Sequence, residues 1–195
     1  MPKSAVFPAA AADTTEIIRV PRPTDSVRTE RDRYLGERRD VEARWLALRD
    51  QEGRLRTSIS EVRTAMDAAG ARDKRARKEK KEDERIAAAA ERERLDRSFV
   101  LLESRLDLRR AQVEQTRIER EYLDAAIRAD DAELVIAERR DQVSMDEPTQ
   151  RGAFQELTSR WLQALRTRTA RSFDLEDRRF KVVEAQIALL RRQRS

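Results

Sequence analysis

Val27 to Met66 reads VRTERDRYLGERRDVEARWLALRDQEGRLRTSISEVRTAM. One position in every seven collects Val27, Tyr34, Val41, Leu48, Leu55 and Val62, and a second, four residues on from each, collects Arg31, Arg38, Trp45, Glu52, Ile59 and Met66. Nine of these twelve slots are large apolar residues, where the chain-wide frequency of 48 in 195 would fill about three. That spacing keeps one stripe on one side of a helix and is the mark of a coiled-coil seam. Arg31, Arg38 and Glu52 weaken the seam, but polar core residues set register and long Arg stems reach outward to water. Trp45 and Tyr34 read as packing residues within it.

The surrounding composition agrees. The chain has 43 Lys+Arg and 38 Asp+Glu, so 81 of 195 residues are charged while the net charge is only +5. About a quarter of the residues are large and apolar, too few for a globular core of this length but enough for long helical stripes. After Pro23 only Pro148 and four glycines, at 36, 53, 70 and 152, interrupt the chain. The fold class expected is all-α: an elongated coiled coil of long helices with an antiparallel helical hairpin, preceded by a disordered tail.

Residues 1–24 hold four of the five prolines and form that disordered or extended tail. Within it Ile17, Ile18 and Val20 favour an extended strand-like segment, a candidate motif for docking in a partner's groove. The first helix is expected over 25–69, started by a hydroxyl or carboxylate cap at Thr24 to Ser26 and stopped by Gly70. A long second helix follows over 71–143. Its segment 72–85, RDKRARKEKKEDER, has eight basic and five acidic residues, and four of the chain's six lysines, Lys74, Lys78, Lys80 and Lys81. These lysines are a candidate contact for an anionic partner, but the interleaved acids and lack of aromatics favour a solvated face over nucleic acid.

The third helix is expected over 148–193, antiparallel to 99–143, with Pro148 in its first turn and Asp146 or Glu147 as cap. Its stripe is read as Phe154, Leu157, Trp161, Leu165, Thr169, Phe173, Phe180, Val183, Ile187 and Leu190, with a stutter at Thr169. A hairpin centred near residue 147 pairs positions whose numbers add to about 294. That assigns Phe99, Leu102, Leu106, Val113, Leu134, Trp161, Phe173, Phe180, Ile187 and Leu190 to the hairpin core. The same reasoning around Gly70 sets Leu55, Ile59, Val62 and Met66 against Arg85, Lys81, Lys78 and Lys74. On that register the first helix lacks an internal match, so Val27, Tyr34, Val41, Trp45, Leu48, Leu55, Ile59, Val62 and Met66 are expected to bind other subunits or a second copy.

There is no Cys, His or Asn. Cys/His zinc sites, Cys–His nucleophiles and Ser–His–Asp triads therefore lack their parts. No phosphate-binding glycine loop is present, and no apolar run approaches a membrane span. The expectation is a non-enzymatic structural or adaptor subunit without cofactors, located in the cytoplasm, that links or spaces components of a larger assembly. Two other readings are a secretion-stalk or ATPase-associated coiled coil, and a basic helical protein associated with nucleic acid or a membrane surface.

Overall fold

The computed structural model describes residues 21–140 and 148–194, and nearly all of them are helical. Three helices follow one another: α1 over Thr24–Glu79, α2 over Glu82–Arg140 and α3 over Pro148–Arg194. At 1.5 Å per residue, α1 and α2, of 56 and 59 residues, are each about 85 Å long. Long uninterrupted runs of Ala, Leu, Glu, Arg and Gln, all good helix formers, account for that length.

The start of α1 differs from expectation. Pro23 is the N-cap, no side chain caps the helix, and the Val27 amide donates to the Pro23 carbonyl at 3.2 Å. The ring of Pro23 fixes φ at −54° and so sets the chain's approach without a hydroxyl cap.

The stop differs more. Gly70 lies inside the helix, and α1 runs on to Glu79, where Lys80 takes the left-handed conformation with φ 59° and ψ 30°. The Lys80 and Lys81 amides then return to the carbonyls of Arg77 and Ala76 at 3.4 and 3.0 Å. Holding a non-glycine residue there costs about 1–2 kcal/mol. A turn at Gly70 avoids that cost but faces the apolar half of α1 with lysines, forfeiting about 1.5–3 kcal/mol for each large side chain left in water. Burial outweighs local strain, and the chain turns ten residues later.

The resulting register is legible in the cross-helix ion pairs. Arg31 meets Asp131 at 2.5 Å, Arg38 meets Asp124 at 2.5 Å, Glu42 meets Arg120 at 2.8 Å, Arg44 meets Glu119 at 3.0 Å and Arg72 meets Glu91 at 2.9 Å. In each pair the residue numbers add to about 162, so rising positions on α1 meet falling positions on α2. The seam of α1 is thereby covered within the chain. Val27, Tyr34 and Val41 are buried, and Tyr34 and Val41 share a cluster with Leu123 and Ala126 against which Tyr122 and Ile127 pack. Near the turn, Ala69, Ala76 and Ala88 are buried. Small side chains there let the helices approach closely.

Helix α3 lies along α2 on a different side. Arg171 pairs with Glu121 at 3.2 Å and Arg178 with Glu114 at 4.0 Å, with numbers adding to about 292. α2 is thus the central helix, packing against both others. Only side chains join α1 to α3, as where Arg168 reaches Tyr34. The α2–α3 register places Arg194 near residue 98, so the turn end of α1 and α2 extends past α3 as a two-helix tip.

Candidate functional site

Where the described part of the chain begins, a polar cluster ties all three helices together. Arg22 precedes α1 and folds onto α2: its backbone amide donates to Glu133 Oε1 at 2.8 Å, and Nε and Nη2 donate to the same carboxylate at 3.1 and 2.7 Å. Nη2 also donates to Asp130 Oδ1 at 2.8 Å, and Nη1 donates to Glu30. From α3, Arg168 Nη2 donates to the Tyr34 hydroxyl at 2.6 Å, and that hydroxyl donates to Glu30 Oε1 at 2.7 Å. One continuous hydrogen-bonded path runs from α3 through α1 and Arg22 to α2.

The cluster shifts its own acidities. The hydrogen bond from Tyr34, and then the Arg22 guanidinium, hold the Glu30 carboxyl below its ordinary value. Burial, and then the hydrogen bond to Glu30, push the Tyr34 phenol up. Asp130 has no exposure at all, and burial raises its pKa against the opposing pull of Arg22. Its second oxygen, Oδ2, has no hydrogen-bond partner. Two arginines and three carboxylates in one site make the end of the rod a polar lock that specifies register, since slipping any helix strands a buried charge. Sequence periodicity does not reveal it, because Arg22 lies outside the repeat and Glu30, Asp130 and Glu133 resemble ordinary surface acids.

The predicted seam residues fall on the face of α1 that meets α2. Val27, Tyr34 and Val41 are buried and Trp45, Leu48, Leu55, Ile59, Val62 and Met66 are partly buried, so within the chain α2 lies over the face that the sequence offered to an outside partner. Trp45 additionally carries the guanidinium groups of Arg49 and Arg120 over its ring, at 5.3 and 5.4 Å from the centroid.

The predicted hairpin core divides. Leu106 and Trp161 are buried and Phe99, Leu102, Val113 and Leu134 are partly buried. Phe173, Phe180, Ile187 and Leu190, with Val183, are instead exposed, the first two at 72% and 65%. The stripe of α3 that meets α2 passes through Trp161, Arg168, Leu175, Val182 and Leu189, a seven-residue spacing without a stutter. Arg168 interrupts its apolar character, which is why the wrong face looked stronger in the sequence.

Among the lysines, Lys80 forms the turn and Lys81 pairs with Glu79 at 2.9 Å and Glu84 at 3.3 Å. Lys74 and Lys78 are exposed on the last turns of α1, so the charged run belongs to the tip joining the first two helices rather than to the second helix alone. Ile17, Ile18 and Val20, and the proposed caps Asp146 and Glu147, lie outside the described residues, as does 141–143 at the expected end of the second helix.

An open groove of about 430 Å³ lies where the three helices meet, lined by Leu55 and Arg54 of α1, Leu108, Arg105 and Arg109 of α2, and Leu189 of α3. No group of three or more metal-ligating side chains occurs among the described residues. No helix among them is long and apolar enough to cross a membrane. Comparisons with protein-family models, curated proteins and solved structures found no match.

Proposed function

We propose that this chain is a non-enzymatic structural or adaptor subunit, an elongated coiled coil of two antiparallel hairpins sharing α2, whose role is to link or space components of a larger assembly. The observation that carries this reading is the ion-pair ladder from Arg31–Asp131 to Arg72–Glu91, which keeps one register over most of the length of α1. Such a ladder supplies length and stiffness rather than a pocket. Function in a spacer is geometric: helices set a distance, apolar stripes choose neighbours and charges hold register.

A matched shortening tests the reading. Deleting 66–72 together with 90–96 removes one heptad from each helix of the tip and keeps their register. Spacing between components bound at the tip and at the α3 end is expected to fall by about 10 Å. Crosslinking mass spectrometry of the native assembly, with intact and shortened chains, reads the change. Recovery of the chain without any other component would overturn the adaptor reading.

A further inference from the structure

The outward face of α3 has the spacing of a second core. Phe173, Phe180 and Ile187 stand seven residues apart, and Val183 and Leu190 follow Phe180 and Ile187 by three. All five side chains are exposed. Phe173, Phe180 and Ile187 lie about 200° around the helix from Leu175, Val182 and Leu189, at 100° per residue, and so point away from α2, while Val183 and Leu190 lie about 100° from that stripe on the flank. An apolar heptad about 27 Å long on a solvent-facing side is half of an interface.

Flanking charges decide what covers it. With Phe180 and Val183 as core positions, Arg179 and Gln186 border one side, and Asp177, Glu184 and Arg191 the other. When two copies of α3 lie parallel and in register, each residue of the first border faces the residue five positions later on the other copy. Arg179 then meets Glu184 twice across the axis, Gln186 meets Arg191, and no like charges meet along the borders. In the antiparallel arrangement this border faces itself: the register that covers the whole stripe brings Asp177 against Glu184 twice, and the next one brings Glu184 against its own copy while Asp177 meets Arg191. In the same parallel pair the core-row Glu176 faces its own copy, a like-charge contact offset by Arg179, which pairs with it at 2.6 Å within each helix.

We propose that a second copy of this chain docks on this face, making a parallel, in-register pair of α3 helices about a two-fold axis. The surface is distinct from the seam of α1, and the proposal stands whether or not the adaptor reading does. It gives the assembly two rods held side by side, with both tips pointing the same way.

The absence of Cys makes orientation measurable. Sedimentation of the full chain over roughly 1 to 100 µM is expected to show twice the 22.8 kDa chain mass. Mild oxidation of Ile187→Cys should yield a covalent dimer, because parallel helices place residue 187 opposite itself; Ala188→Cys, one step off the stripe, should not. Glu184→Arg should weaken the dimer about fivefold by setting like charges against each other, and Arg179→Glu combined with Glu184→Arg should recover part of that loss, because Glu176 then lacks its counter-charge. Phe180→Glu with Ile187→Glu should give a monomer of unchanged helicity. A monomer throughout the range, equal crosslinking at 187 and 188, or a dimer indifferent to the Phe180 and Ile187 changes would each overturn the proposal.

Discussion

Arg22 and Glu133 are 111 residues apart in sequence, yet the carboxylate of Glu133 accepts hydrogen bonds from the backbone amide, Nε and Nη2 of Arg22. A side chain outside the helical repeat thereby fastens the start of α1 to the last third of α2. Four polar groups are satisfied in one contact, and Glu133 is almost wholly withdrawn from water.

Arg22 is 38% exposed and keeps Asp130 and Glu30 as partners, so losing Glu133 costs less than stranding a buried charge. Glu133→Gln is expected to lower the melting temperature by a few degrees, corresponding to about 1–2 kcal/mol, because Arg22 loses its bidentate partner. Thermal denaturation by circular dichroism checks it; an unchanged midpoint would mean that Arg22 contributes nothing to the register.

Asp130 and Glu30 respond to pH with opposite sign. Glu30 has a depressed pKa, so its contribution is present above its unfolded value and disappears as pH falls through its folded one. Asp130 has a raised pKa, so its ionisation weakens the folded state as pH rises through that value. Asp130→Asn is therefore expected to match or exceed the wild-type midpoint at pH 7, with the difference closing as pH falls below the folded value. A marked loss at pH 7 would show that Arg22 needs the charge at that position.

Lys80 stands in the left-handed conformation at an exposed turn. Lys80→Gly should raise stability by roughly 1 kcal/mol, since glycine adopts that conformation without the clash of a Cβ. Urea titration of both proteins measures it. A decrease would place the end of α1 elsewhere.

Val41 lies in the Tyr34–Leu123–Ala126 cluster with 1% exposure. Val41→Asp is expected to cost about 3 kcal/mol or more by burying an unpaired carboxylate between α1 and α2, and to do so at any protein concentration. A loss that vanished at high concentration would instead return the seam to an intermolecular role.

Much of this protein is written in local patterns. The seven-residue spacing from Val27 to Met66, the scarcity of Gly and Pro after residue 23, and the high charge content lead to long helices and an all-α chain, because helix propensity and amphipathic period act within a few turns. The start of α3 at Pro148 was readable for the same reason.

Which stripe meets which was decided only in three dimensions. Helix α3 carries two stripes with the same period, one through Leu175, Val182 and Leu189 and one through Phe173, Phe180 and Ile187. The second is richer in large apolar groups, so periodicity alone favours it, yet the first faces α2. Gly70 likewise looked like the stop of α1, while the turn formed at Lys80. Both outcomes are sums over distant partners: the cover α2 gives the α1 seam, the reach of Arg168 to Tyr34 and the closure of Arg22 onto Glu133 and Asp130. Interactions spanning more than 100 residues leave no trace in a local repeat, and they outweigh the 1–2 kcal/mol preferences that a single glycine or a stronger stripe expresses.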